Sequence, residues 1–269
     1  MTAKGTFAAA LAAAATVAAA AAALPASAAT AGKTIVFCSD TTYPPMESIV
    51  NGKAAGADVD IANALAKEMG DTAQIKTTGF DVIIPALLHK KCDAIISSMT
   101  NTPARAKQVH FTNYITVGAF LMVKKGNPSH ISTQGHGLAS LSGKSVAVEA
   151  ATTEGAALAA ENKVLSKQSK KKISIVTYPA DTSAAAAILA GKVDAYFADA
   201  PPVLYYIKKT HGRFQTAGQQ IMSAPEGIAT RQGDPLGGQF AKAVAKLYAN
   251  GTMKKILAHW GLSAFALKK

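Results

Sequence analysis

The sequence predicts an α/β protein of two doubly wound lobes, on three observations. One pair of segments repeats, short apolar strands alternate with helices, and the helices show one-faced periodicity. Residues 86–98 match residues 187–199: each is a helix end, a basic turn, and an Asp-Ala step opening a short apolar strand. Asp93 thereby corresponds to Asp194, and Ser98 to Asp199. Residues 33–42 echo residues 144–153 in the same manner, aligning Lys33 with Lys144. Both halves therefore open and close a βαβ unit alike.

The elements follow in order. A strand within 33–42, with Cys38 near its end, leads to a helix that starts after Gly56-Ala57-Asp58 and stops at Gly70, a residue suited to the left-handed position past a helix end. Val59, Ile61, Ala62, Leu65, Ala66 and Met69 share one face of that helix. A helix over 81–89 feeds a strand over 93–97, and a helix over 182–189 feeds a strand over 194–198. Short apolar strands separated by helices imply parallel sheets covered on both faces. Asp93 and Asp194, equivalent in the repeat, read as structural.

The chain begins with Lys4, an alanine-rich run from Ala8 to Ala23, and Leu24-Pro25-Ala26-Ser27-Ala28. This pattern predicts a secretory leader over 1–28, cleaved after Ala28, with no cysteine following it to carry a lipid. About 240 residues then remain, enough for two lobes. Cys38 and Cys92 lie near the end of one strand and the start of another, so they are expected as two buried thiols rather than a disulfide. The formal charge is +12. The lysines are scattered except between Lys167 and Lys172, and no aromatics interleave with them, so a solvated basic surface is expected and no nucleic-acid partner. His130 and His136, one pair in a Gly/Ser-rich loop, do not make a metal site. No catalytic motif and no cofactor signature is present.

In open α/β sheets ligands bind beyond the carboxyl ends of the strands. Those ends carry Asp40 to Tyr43 and Ser97 to Arg105 in the first half, and Glu149 to Glu154 and Asp199 in the second. The set holds an arginine, a carboxylate from the opposite lobe, hydroxyls, and the aromatic faces of Tyr43 and Phe80. A free α-amino acid fits it: Arg105 takes the carboxylate as a fork, Asp199 takes the ammonium, and Thr153 stands near a helix N-terminus.

Residues 39–48, 56–62, 80–85 and 93–105, then Phe111-Thr112, 141–148, Thr152-Thr153, 191–195, 250–257 and Trp260-Gly261, run in one order over most of the chain. That ordered set resembles the periplasmic polar-amino-acid-binding proteins of ABC importers, solute-binding protein family 3, which includes histidine, glutamine and lysine/arginine/ornithine binders. The resemblance implies a type II periplasmic binding protein, its lobes joined by two hinge strands near Val117 to Leu121 and Glu226 to Thr230. Lobe 1 would span 29–118 plus 227–269, and lobe 2 would span 119–226. It also implies that Ser98, Thr100, Arg105 and Thr153 hold the ligand carboxylate, Asp199 the ammonium, and Tyr43 and Phe80 the side chain. A monomer in the periplasm, delivering a free amino acid to ABC permease subunits in the inner membrane, would follow.

Two positions depart from the family pattern: Ala151 stands where glycine is usual, and Met46 where an aromatic is usual. By the resemblance Asp40 and Glu149 lie toward the ligand side chain, favouring a cationic tail. The alternative is that Asp40 caps the Tyr43 turn and Glu149 faces water. Two rival functions use the same scaffold: a cyclohexadienyl dehydratase, with Glu149 or Glu154 as general acid, and a sensor that docks on a receptor.

Overall fold

The structure, a computed structural model, describes residues 1–3, 5 and 32–267. The leader assigned to 1–28 therefore falls almost entirely outside the described residues. The first half carries β1 (Thr34–Ser39), β2 (Thr42–Tyr43), β3 (Glu47–Val50), β4 (Lys53–Ala55), α1 (Ala57–Glu68), β5 (Thr72–Thr77), α2 (Ile83–Leu88), β6 (Ala94–Ile95), α3 (Pro103–Ala106) and the long β7 (Val109–Lys124). There follow β8 (Ser145–Glu149), α4 (Thr153–Lys167), β9 (Ser174–Tyr178), α5 (Asp181–Leu189), β10 (Ala195–Asp199), α6 (Ala200–Lys209), β11 (Phe214–Thr216), β12 (Ile221–Arg231), α7 (Pro235–Ala249) and α8 (Thr252–His259).

The duplication is visible in the pairing. β1 lies between β5 and β6 and is parallel to both; β8 lies between β9 and β10, again parallel to both. Two long strands, β7 and β12, pair antiparallel from Val109–Arg231 to Ala119–Ile221. β12 also bonds to β6, and β7 to β10. The order β5-β1-β6-β12-β7-β10-β8-β9 thus reads the same from either end once the halves are exchanged. The sheets expected from the sequence are one continuous sheet, because each hinge strand satisfies backbone groups of its own lobe and of the other hinge strand.

Two cores flank the hinge pair. Phe37, Ile61, Leu65, Tyr114, Ile228, Phe240 and Leu257 pack in the first. Leu121, Val146, Leu158 and Phe197 pack on one face of the second lobe, and Met122, Ile188, Tyr196 and Val203 on the other. α1 buries Val59, Ile61, Ala62, Leu65 and Ala66 as its periodicity predicts, and Gly70 follows with φ +78°. The helix expected over 81–89 is divided: Phe80–Val82 form a 3₁₀ turn and the α-helix begins at Ile83. Pro85 is the cause, since it has no N–H to donate and its ring excludes an α-helical carbonyl four residues earlier. Among the described residues no helix is long and apolar enough to cross a membrane.

The structural register of the repeat differs from the sequence echo by two residues. Phe37 sits opposite Ala94, and Val146 opposite Ala195. Asp40 therefore corresponds to Glu149, each the first residue of its lobe past or at the end of the equivalent strand. An even shift keeps every side chain on its face. Asp93 and Asp194 are structural as expected: they accept the backbone amides of Val36 and Ser145, each at 2.8 Å.

The expectation of two free thiols is overturned. Cys38 and Cys92 form a disulfide, with Cα atoms 5.7 Å apart. β6 is only two residues long, and the Asp93 amide bonds to the Val36 carbonyl. Cys92 therefore lies on the bend leading into β6, directly beside β1, rather than at the far end of an extended strand.

Candidate functional site

Between the lobes lies a cleft with about 310 Å³ of empty space, part of it open to solvent. Its walls carry all nine residues singled out from the sequence, Asp40, Tyr43, Phe80, Ser98, Thr100, Arg105, Glu149, Thr153 and Asp199, and also Glu47, Ser97, Thr152 and Glu154.

From the first lobe, β1 ends at Ser39 and the chain turns over Asp40. The Thr42 amide donates to Asp40 Oδ1 at 3.1 Å, and the Phe80 amide donates to Oδ2 at 3.0 Å. Asp40 thus caps the Tyr43 turn and also fixes the loop that brings Phe80 to the cavity. Ser97 accepts the Asp40 amide at 2.9 Å and donates to Glu47 Oε1 at 2.8 Å. Ser98 is held with φ +39°, its amide donating to Asp58 Oδ2 at 2.7 Å, and its hydroxyl is buried without a partner. This sharp turn at the end of β6 directs the chain to Thr100 and then to α3. Thr102 caps α3 by accepting the Arg105 amide at 3.2 Å.

Arg105 crosses the cleft. Its Nη1 donates to the Thr100 carbonyl at 3.1 Å and its Nη2 to the Ala151 carbonyl, in the other lobe, at 3.0 Å. The guanidinium lies 5.2 Å from the centroid of the Phe80 ring. Burial lowers its pKa, while Glu154, Asp199 and Glu226 oppose that shift. Ala151, at the position where the family pattern has glycine, adopts φ +61°.

From the second lobe, Thr152 caps α4, accepting the Gly155 amide at 3.3 Å, so Thr153 is the first residue of the helix. Glu149 does not face water: it is 5 % exposed and its Oε1 has no partner. Burial, followed by the Asp40 charge and hydrogen bond, pushes its carboxyl up to about 10. Asp199 holds the N-cap position of α6, yet its side chain makes no capping bond. Instead Tyr43 Oη donates to Asp199 Oδ2 at 2.9 Å. A third link between lobes is the Asp181 amide donating to Thr42 Oγ1 at 3.1 Å.

Sequence reasoning missed the depth of the acid. Glu47 (fully buried) and Glu154 (2 % exposed) join the lining, and Asp58 and Glu226 stand behind it. Burial raises Asp58 to about 6 and Glu226 to about 8, with mutual repulsion adding to Glu226. Glu154 entered only as a possible general acid; its place beside Thr153 at a helix start was the available signal. Glu47 and Glu226 carried none: Glu47 is buried against Ser97, just past β6, and Glu226 by its place in the β7–β12 pair.

The family model for bacterial extracellular solute-binding proteins, family 3, matches residues 35–263. The L-arginine-binding protein of Pseudomonas aeruginosa is 33% identical over 236 residues, 84% of this chain and 87% of that protein. The L-cystine-binding protein TcyJ of Escherichia coli K12 is 29% identical over 230 residues, 84% of this chain and 82% of that protein. Among solved structures, an ancestral arginine-binding protein bound to arginine is 32% identical with a TM-score of 0.74, covering 84% of this chain and 97% of that one.

Proposed function

Because the chain belongs to the bacterial extracellular solute-binding proteins of family 3, we propose that it captures a free α-amino acid with a cationic side chain between its lobes and presents it to an ABC permease. The observation that carries the cationic assignment is the balance of charge in the cavity: Asp40, Glu47, Glu149, Glu154 and Asp199 face a single cation, Arg105. A zwitterion adds no net charge to that surplus of buried acid, whereas arginine, lysine or ornithine brings one more positive group. Buried charge is tolerated when it is paired and hydrogen-bonded. The arginine-binding relative agrees with this reading; the cystine-binding one marks the alternative of a neutral ligand.

In the proposed complex Arg105 turns its fork to the ligand carboxylate, with Ser98, Thr100 and Thr153 as further donors. Asp199 receives the ammonium. Tyr43 and Phe80 flank the side chain, and its distal cation lies toward Asp40 and Glu149. Each charge-assisted bond contributes about 1.5–3 kcal/mol net. The lobes, 29–118 with 227–269 and 119–226, close about β7 and β12. Export to the periplasm with loss of 1–28 and a monomeric state complete the proposal, and the Cys38–Cys92 bond suits an oxidising compartment.

A second reading rests on Glu149, a carboxylic acid protonated at neutral pH and so able to act as a general acid in a dehydratase. A thermal-shift panel of L-arginine, L-lysine, L-ornithine, L-glutamine, L-histidine, L-cystine and prephenate tests both. Ligand at 100 times its Kd adds about 2.7 kcal/mol of stability. The proposal expects the largest rise with a cationic amino acid; a response to prephenate alone overturns it in favour of the enzyme.

A further inference from the structure

Glu154 is a buried acid to which the binding reading assigns no task. It is the second residue of α4, and Thr153 Oγ1 donates to its Oε2 at 3.0 Å. Its Oε1 is buried with no partner. Five groups from other elements face it: Asp199 at the end of β10, Arg105 from α3, Glu226 from β12, Tyr43 from β2 and Asp181 from the start of α5. Asp199 already accepts the Tyr43 hydroxyl through Oδ2. Arg105, the cation of the cavity lining, spends Nη1 and Nη2 on the carbonyls of Thr100 and Ala151 rather than on either acid. Two carboxyl groups side by side, out of water and without a cation between them, do not both ionise.

Resting on the assignment of Asp199 to the ligand ammonium, we propose that Glu154 and Asp199 together form a two-carboxylate receptor for the α-ammonium, sharing one proton in the empty protein and releasing it to solvent when the ammonium arrives. An ammonium carries three donors, and Glu154 Oε1 is an acceptor with nothing else to accept. Burial raises the pKa of both acids, and their mutual repulsion raises that of Asp199 further. The receptor reads the part common to every α-amino acid, so it sets selectivity for the free amine and leaves the side chain to Asp40 and Glu149.

The test is titration calorimetry at pH 7 in buffers of low and high ionisation heat, on wild type, Glu154→Gln and Glu154→Asp. The probes are L-arginine, L-glutamine, L-histidine and L-cystine, with 5-guanidinopentanoate as the arginine analogue lacking the α-amine. Wild type should release more protons than Glu154→Gln on binding an amino acid, by about one per site. Glu154→Gln should also bind the amino acid at least tenfold more weakly while binding 5-guanidinopentanoate as wild type does. Glu154→Asp, which keeps the carboxyl, should restore the release. Equal release by wild type and Glu154→Gln overturns the receptor, as does an equal loss of affinity for the amine-free analogue, which marks a structural role. Failure of all four amino acids to bind wild type overturns the underlying reading instead, and is distinguished by not depending on Glu154.

Discussion

Tyr43 Oη donates to Asp199 Oδ2 at 2.9 Å and accepts the Asp199 backbone amide at 3.1 Å, so one phenol ties the end of β2 to the end of β10 across the cleft. With the Arg105–Ala151 and Asp181–Thr42 bonds it holds the two lobes together. Tyr43→Phe keeps the ring that lines the cavity and deletes both bonds. The radius of gyration of the unliganded variant, measured by small-angle X-ray scattering, should exceed that of wild type, and the two should coincide once ligand is saturating.

Arg105 and Asp199 are the charged groups assigned to the ends of the amino acid. Arg105→Ala and Asp199→Ala should each weaken binding at least tenfold, a change of about 1.4 kcal/mol. Calorimetry of each variant with the ligand found in the thermal-shift panel measures this directly.

Stability of the empty protein should fall as pH rises. Carboxyl groups whose folded pKa lies above the ordinary range hold protons that the unfolded chain gives up. Their contribution is therefore full below the unfolded pKa and is lost as pH climbs through the folded one. The values are about 6 for Asp58, about 8 for Asp181 and Glu226, and about 10 for Glu149. The melting temperature should decline between pH 5 and pH 9 without ligand, and decline less with a saturating cationic amino acid, which favours the ionised acids. Ligand affinity should rise over the same interval.

The Cys38–Cys92 bond closes a loop with a sequence separation of 54. Chain-entropy arguments give such a crosslink up to about 4 kcal/mol of stability. Unfolding followed by circular dichroism with and without a phosphine reductant should show a lower midpoint for the reduced protein. The paired Cys38→Ala, Cys92→Ala variant should match the reduced form to within the cost of the lost sulfur packing.

The lining of the cavity was legible because strand ends fix it. Once Asp93 and Asp194 marked equivalent strands, Ser98, Arg105, Glu149 and Asp199 had to lie at one edge, and that edge is where the cavity is. α1 was legible from one apolar face and a terminal glycine. What escaped depended on distant partners. The Cys38–Cys92 bond needed the bend before β6, and the fusion of two sheets into one needed the β7–β12 pairing, neither of which leaves a local pattern. The same holds for Glu47 and Glu226, ordinary polar residues by sequence, one buried against Ser97 and the other within the β7–β12 pair. Asp40 caps the Tyr43 turn and also lines the cavity.

The cationic assignment is tested most directly by calorimetry of L-arginine against L-citrulline at pH 7.5. The two ligands share length and α-carbon chemistry and differ in a guanidinium against a neutral urea. Binding of L-arginine at least tenfold tighter, with the advantage shrinking in Glu149→Gln, is the predicted result; equal affinities, or a preference for L-citrulline, would contradict it.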